Sequence, residues 1–238
     1  MEQMNTDFKF KQFSISQDNC AMKVGTDGVL LGAWINTKAE ESNILDIGTG
    51  TGLIALMLAQ RNPNAFITGI EIDKLAAIQA NENSTKSNFK DQITIKNSSL
   101  QDYKSTKKFD LITSNPPFFV PNIKMLDKKR KKARHTSSLT YKELLTSSYS
   151  LLTKDGTGNF IIPFDREGEF LKIAKQTGFY TSRITQVKGN NTSPFKRSLI
   201  ELGKTTSTPI LSKLTIEISR HVYTQEYIEL VKDFYLKM

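Results

Sequence analysis

The sequence predicts an α/β fold built on a doubly wound, mainly parallel seven-stranded sheet, with a short N-terminal extension. Three observations support this prediction. Short apolar segments alternate with segments of helical periodicity, which is typical of parallel strands covered by helices on both faces. A glycine-rich turn follows the first of these segments at residues 48–52. The length of 238 residues also suffices for one α/β domain with a sizeable hydrophobic core.

The N-terminal extension begins with alternating apolar residues. Phe8, Phe10, Phe13 and Ile15 alternate with polar residues, with one slip between Phe10 and Phe13, which predicts a strand or hairpin carrying a bulge. The apolar residues 29–34 predict a short buried helix, and Trp34 is expected in the core.

Beyond residue 36, strands and helices alternate. The predicted strands are 43–47, 65–72, 92–95, 109–113, 158–163, 184–187, 198–202 and 214–218. The predicted helices are 53–60, 75–84, 139–152, 166–176 and 227–235. We therefore divide the chain into an extension, residues 1–36, that packs over the ligand site, and a main domain, residues 37–238.

The composition narrows the class of protein. A net charge of +9 favours an anionic partner such as nucleic acid or a membrane surface. The alternative is that the charge only keeps the protein in solution. The single cysteine, Cys20, excludes an intramolecular disulfide, and with two histidines, His135 and His221, we expect no metal site. We find neither a signal-peptide pattern nor an apolar run near the ~20 residues of a membrane span, so we expect a cytoplasmic protein that does not bind membranes.

The turn after the first predicted strand indicates a nucleoside ligand. Its G-x-G-x-G pattern, Gly48-Thr49-Gly50-Thr51-Gly52, differs from the G-x-G-x-x-G of dinucleotide-binding turns. Asp46 precedes it and would repel a pyrophosphate but can bind a cation. S-adenosylmethionine carries an ammonium and a sulfonium group. Glu71, at the end of the second strand, can accept hydrogen bonds from ribose hydroxyls, and Asp73 can cap the next helix. The alternative is a glycine-rich turn of another nucleotide-binding domain.

The fourth predicted strand of the main domain ends in Asn115-Pro116-Pro117-Phe118. The Asn115 side-chain oxygen and the Pro116 carbonyl can each accept a hydrogen bond from an aromatic amine, and Phe118 offers a face on which its ring can stack. Such positioning of the reacting atoms can contribute roughly 7–11 kcal/mol, and it needs no general base. The alternative is a structural Pro-Pro turn.

Together these motifs resemble the class I methyltransferase fold, and Asn-Pro-Pro-Phe resembles the signature of its amino-methylating branch. The sequence is similar over nearly its whole length to bacterial tRNA1(Val) adenine-37 N6-methyltransferases. The similarity is carried by the following segments: 8–13, 21–34, 46–52, 114–118, 133–135 and 233–237.

The resemblance implies further cofactor contacts. It implies that the amino-acid end of the cofactor is covered by Lys23, Thr26 and Asp27. It also implies that the cofactor lies beside Ile72 and Leu100. Where relatives often carry an aspartate for the cofactor's adenine amine, this chain has Ser99, and Asp102 is the alternative partner.

A basic run follows the Asn115 motif. Between Lys124 and Arg134 there are seven basic residues and one acid, Asp127. We expect this run to contact tRNA phosphates, although a solvated charge run is the alternative. The predicted RNA-binding residues are Lys128, Lys129, Arg130, Lys131, Lys132, Arg134 and His135.

The sequence thus predicts methyl transfer from S-adenosylmethionine to the N6 amine of adenosine 37 in the anticodon loop of tRNA1(Val). The alternatives are a guanine amine of ribosomal RNA, a protein glutamine amide, and a catalytically silent RNA-binding module. We expect a monomer with no stable protein partner.

Overall fold

The computed structural model describes residues 7–20, 22–37, 42–116 and 139–238. The strands are β1 (Phe8–Lys9), β2 (Ser14–Ile15), β3 (Ser42–Ile47), β4 (Ala65–Glu71), β5 (Ile93–Asn97), β6 (Phe109–Ser114), β7 (Leu152–Pro163), β8 (Tyr180–Asn190), β9 (Phe195–Gly203), β10 (Ile210–Ser219) and β11 (Val222–Tyr223). The helices are α1 (Thr26–Trp34), α2 (Leu53–Arg61), α3 (Lys74–Lys86), α4 (Tyr141–Leu151), α5 (Glu167–Thr177) and α6 (Gln225–Val231).

The central sheet runs in the order β5-β4-β3-β6-β7-β9-β8-β10-β11. Its first five strands in this order are parallel, and β9 is antiparallel between β7 and β8. The predicted mainly parallel α/β fold is therefore confirmed.

The predicted count of seven strands was too low. The described part of the sheet has nine strands, because all eight strands predicted beyond residue 36 join it and β11 pairs with β10. The added edge is stabilised by burial, since Leu214 of β10 packs in one apolar cluster with Tyr227 and Val231 of α6.

Two apolar layers cover the sheet, because neighbouring residues of a strand face opposite sides. On β7, Ile161 packs in the layer that contains α1, α2 and α6, whereas Phe160 and Ile162 pack in the layer that contains α4 and α5. Trp34 is buried in the first layer, where its indole nitrogen donates to the Thr185 hydroxyl at 2.8 Å. Its predicted place in the core is confirmed.

The N-terminal extension contains a two-stranded hairpin in which Phe8 pairs with Ile15. The slip in the apolar alternation marks its tight turn, not a bulge, since the amide of Phe10 donates to the carbonyl of Phe13 at 2.8 Å. The rings of Phe10 and Phe13 stack with centroids 4.7 Å apart. No helix among the described residues is long and apolar enough to span a membrane.

Candidate active site

The carboxyl ends of β3, β4 and β6 meet around a cavity of about 510 Å³. Parallel strands bring their carboxyl ends to one edge of the sheet, where ligands bind in folds of this type. The wall includes residues 22–28, 47–51, 70–73 and 98–101, together with Asn115.

The glycine-rich turn between β3 and α2 has a backbone that glycine favours. Gly48, Gly50 and Gly52 have φ of 70°, 55° and 83°, in the left-handed region where other residues are strained. A side chain on Gly48 would meet no atom within 4 Å, so the turn presents bare backbone to open space. A Cβ on Gly69 of β4 would lie 2.7 Å from Ile95 Cδ1 and 3.0 Å from the Thr49 hydroxyl oxygen, so glycine at this position leaves room for the Thr49 side chain.

Asp46 lies beneath this turn and is absent from the residues that line the cavity. The Thr49 hydroxyl donates to Asp46 Oδ2 at 2.6 Å. The other oxygen, Oδ1, is buried and accepts no hydrogen bond from the described residues. The backbone amide of Ala55 nevertheless lowers the pKa of Asp46. Burial raises the pKa of Asp46 to about 7; the Thr49 hydrogen bond opposes this rise, and the charge of Glu71 adds to it. The structure thus places Asp46 where it holds the turn through Thr49, and its predicted contact with the cofactor stays a prediction.

The raised pKa of Asp46 predicts a pH-dependent stability of the protein without cofactor. The folded carboxyl keeps its proton to about pH 7, whereas the unfolded one loses it near pH 4, so the free energy of unfolding falls as pH rises through this window. Asp46→Asn retains an oxygen for Thr49 but cannot ionise. In this variant the free energy of unfolding should no longer fall, between pH 5 and pH 8, by the amount on the order of a few kcal/mol that we expect for the wild type. Urea unfolding at the two pH values measures this difference.

The matched control for this prediction is Asp91→Asn, because Asp91 is exposed at the opposite edge of the sheet. This variant should keep the wild-type difference between the two pH values. An Asp46→Asn variant that also keeps it would contradict the role of this carboxyl.

Glu71 joins the turn to the end of β4 and lies on the cavity wall. Its Oε2 accepts from the Gly50 amide at 2.9 Å, and its Oε1 accepts from the Asp73 amide at 3.0 Å. Each carboxylate oxygen can accept a second hydrogen bond. Beside it, Ile72 is 56% exposed and offers an apolar surface. Asp73 caps α3 by accepting from the Leu75 and Ala76 amides, which confirms its predicted capping role.

Ser99 and Leu100 line the cavity after β5, whereas Asp102 does not. The Ser99 hydroxyl donates to Asp102 Oδ2 at 2.6 Å and accepts from the Asp102 amide at 3.1 Å. Of the two predicted partners for the cofactor adenine, Ser99 is the one on the wall. Asp102 orients its hydroxyl so that an oxygen lone pair remains free.

The N-terminal extension supplies Lys23 and Thr26, together with Asp27, to the same wall. Two buried side chains of α3 hold this segment in place. Asn83 accepts from the Ser16 amide and donates to the carbonyls of Ser16 and Thr51, each at 2.9 Å, and Gln79 accepts from the Asn19 amide at 3.1 Å.

Sequence reasoning did not assign a role to Asn83 or Gln79. The signal was available, because both residues share the face of α3 that carries Ala76 and Ala80, and a polar side chain on a buried face needs a partner.

Cys20 also lies on the cavity wall and is buried. Its burial, and to a smaller extent the charges of Glu71 and Asp73, raise the pKa of its thiol to about 11. It therefore stays protonated and is a poor nucleophile.

Asn115 follows β6 directly and lines the cavity. Its Oδ1 is buried and has no hydrogen-bond partner among the described residues. Ser114 anchors the strand end, since its hydroxyl donates to the Ile47 carbonyl at 2.8 Å. An unpartnered buried carbonyl costs about 1–3 kcal/mol, so this oxygen favours a ligand that brings an N–H donor. Pro116 is buried beside it.

Several predicted site residues lie outside the described residues. They are Pro117, Phe118, Lys128, Lys129, Arg130, Lys131, Lys132, Arg134 and His135. Among the residues that are described, no group of three or more His, Cys, Asp or Glu side chains could hold a metal ion.

The cavity wall suits S-adenosylmethionine. Bare turn backbone lies beside Glu71, whose oxygens can accept from ribose hydroxyls, while Ile72 and Leu100 offer apolar contact to an adenine ring. Lys23 is available to a carboxylate, whereas the Asp27 carboxylate on the same wall is ion-paired with Arg197 at 2.7 Å. The residues present therefore fit this cofactor.

The same overall fold is found in solved structures of other proteins. The structure is similar to that of a predicted O-methyltransferase from Agrobacterium tumefaciens, with a TM-score of 0.65 and 16% identity over 86% of this chain and 95% of that one. It is also similar to the ribosomal protein L11 methylase of Lactobacillus delbrueckii, with a TM-score of 0.52 and 17% identity over 74% and 76% of the two chains. At such identities the similarity concerns the fold alone.

The fold and the cavity define an S-adenosylmethionine-dependent methyltransferase, and a family model described as Methyltransferase small domain matches residues 21–162. Relatives from Christiangramia forsetii and Parabacteroides distasonis are each 47% identical to this chain, over 98% of this chain and 99% of their own length. Both are named tRNA1(Val) (adenine(37)-N6)-methyltransferase. The chain belongs to this family.

Proposed function

We propose that this enzyme methylates the N6 amine of adenosine 37 in tRNA1(Val), with S-adenosylmethionine as the methyl donor. The full-length relatives support the choice of substrate. The observation that carries the chemistry is the buried Oδ1 of Asn115, an acceptor on the cavity wall with no described partner.

The cofactor is held by groups on both sides of the glycine-rich turn. Gly48, Thr49 and Gly50 offer backbone, Glu71 accepts from the ribose hydroxyls, and Ser99 accepts from the adenine amine. The other contacts are made by Lys23, Thr26, Ile72 and Leu100. Asp46 acts indirectly by holding Thr49. When bound, S-adenosylmethionine supplies an electrophilic methyl group.

The substrate amine is oriented by hydrogen bonds. Asn115 Oδ1 and the carbonyl of Pro116 accept the two N–H groups of the adenine amine, so that its nitrogen lone pair turns out of conjugation and towards the methyl group. The ring stacks on Phe118, and Pro117 fixes the backbone of the motif. The methylated amine sheds its proton without a dedicated base. Because a base inside a stack cannot enter the cavity, adenosine 37 must be unstacked first.

Residues 1–36 form the extension that closes the cofactor side of the cavity, and residues 37–238 form the catalytic domain. The basic residues between 128 and 135 bind tRNA phosphates. The enzyme acts as a monomer in the cytoplasm, where its tRNA substrate is found.

The substrate assignment is tested with purified enzyme, labelled S-adenosylmethionine and two transcripts of tRNA1(Val). The natural transcript should gain one methyl group per molecule, and the transcript with guanosine in place of adenosine 37 should gain none. Equal methylation of both transcripts would contradict adenosine 37 as the target. Methylation of neither transcript, with transfer to ribosomal RNA or to protein glutamine, would replace the proposal with one of those substrates.

A further inference from the structure

We propose that a basic surface on the β8–β9 hairpin, beside the active-site cavity, binds the phosphate backbone of the tRNA substrate. We call it the hairpin surface, and it consists of Lys188 of β8, Lys196 and Phe195 of β9, Lys213 of the neighbouring strand β10, and Phe164, which follows β7. This inference rests on the proposed function, because it assigns a second set of contacts to the same substrate.

The hairpin lies at the edge of the sheet that carries the active site. β8 is parallel to β7, since both are antiparallel to β9, so its carboxyl end lies at the same edge as those of β3, β4 and β6. Arg197 of β9 connects the hairpin to the cavity wall through an ion pair of 2.7 Å between its Nε and Asp27 Oδ2. Gly189 of β8 also lines a second cleft with Thr26, which belongs to the cavity wall.

Phe195 is the centre of the hairpin surface. Its ring lies 5.4 Å from that of Phe164, measured between centroids. The ammonium groups of Lys188 and Lys213 lie 6.0 and 5.7 Å from the centre of the Phe195 ring. An aromatic ring attracts cations at such distances weakly, so it brings the two ammonium groups together without neutralising either.

The positive charge of the hairpin surface is only partly compensated by nearby carboxylates. None of its lysines takes part in the ion pairs found among the described residues. The nearby carboxylate of Glu167 accepts from the neutral side chains of Gln186 and Ser198 and therefore keeps its negative charge. Together with Asp165, which is exposed beside Phe164, Glu167 offsets two of the three positive charges and leaves an excess of one.

Three cations next to a cavity that takes an unstacked base match the needs of a folded RNA. Phosphate contacts fix the register of the nucleic acid and release counterions. The hairpin surface is separate in sequence from the basic residues at 128–135, so tRNA would be held by two independent parts of the chain.

The test compares two triple variants of the full-length enzyme. The first is Lys188→Gln, Lys196→Gln and Lys213→Gln. The matched control is Lys86→Gln, Lys90→Gln and Lys107→Gln, which removes the same charge from exposed lysines near the opposite edge of the sheet. Binding of a tRNA1(Val) transcript is measured by fluorescence anisotropy across a salt series, and binding of S-adenosylhomocysteine is measured by calorimetry.

We expect the hairpin variant to lose tRNA affinity by about fivefold per lost phosphate contact at ~0.15 M salt, and its salt slope to fall by about one per contact. Cofactor affinity and melting temperature should match the wild type. An unchanged salt slope, or an equal loss in the control, would overturn the hairpin surface. Either result would leave the proposed function intact as long as the wild-type enzyme methylates adenosine 37. If the hairpin variant loses tRNA affinity but the wild-type enzyme does not methylate the tRNA, the hairpin surface stands and the proposed function is overturned.

Discussion

Replacing Asn115 with alanine should slow methyl transfer to tRNA by about a hundred- to a thousandfold, the effect of removing one positioned hydrogen-bonding group from an active site. The buried Oδ1 of Asn115 has no described partner and lies at the cavity wall. In the proposed complex it holds the substrate amine, so its loss leaves the amine conjugated with its ring. Single-turnover measurements with saturating tRNA and cofactor would report this step directly.

Two controls make the Asn115→Ala result specific. Affinity for S-adenosylhomocysteine should stay within about twofold of the wild type, because the alanine variant retains the glycine-rich turn and Glu71. Asn88→Ala removes the same group from an exposed site near the opposite edge of the sheet and should leave turnover unchanged. Unchanged turnover in Asn115→Ala would exclude the proposed role of this side chain.

Replacing Glu71 with alanine should weaken binding of S-adenosylhomocysteine by at least about a hundredfold. Hydrogen bonds to a charged group contribute about 1.5–3 kcal/mol each, and two of them exceed the ~2.8 kcal/mol that a hundredfold change requires. Glu71 also accepts from the amides of Gly50 and Asp73, so part of the loss reflects a looser turn. Glu71→Gln, which keeps one carbonyl oxygen, should lose less affinity than Glu71→Ala.

An analogue of S-adenosylhomocysteine without the two ribose hydroxyls separates these effects. The wild-type enzyme should bind this analogue much more weakly than the natural compound, whereas Glu71→Ala should bind the two almost equally. If calorimetry shows that the variant still discriminates between them, the ribose contact lies elsewhere and Glu71 only supports the turn.

The fold class and the centre of the site were predictable from sequence because local patterns encode them. The left-handed glycines at 48, 50 and 52 and the helix cap at Asp73 are decided by residues within a few positions of each other. Glu71 follows from the same logic, since the end of β4 must lie beside the end of β3 in a parallel sheet.

The features that sequence reasoning missed depend on distant pairings. The contacts of Asn83 with Ser16 and of Arg197 with Asp27 join residues 67 and 170 positions apart, and no local pattern names such partners. The complete burial of Asp46 was not foreseen either, because its spacing to the glycines does not reveal that the turn folds over its side chain. The short strand β11 was missed, because no periodic pattern of its own marks its pairing with β10.

The most direct test of the central claim is nucleoside mass spectrometry of tRNA1(Val) from cells that lack this gene. We predict that N6-methyladenosine is absent from that tRNA, that the wild-type gene restores it, and that the Asn115→Ala gene at equal protein level does not. Retention of N6-methyladenosine at position 37 in the deletion strain would contradict the account.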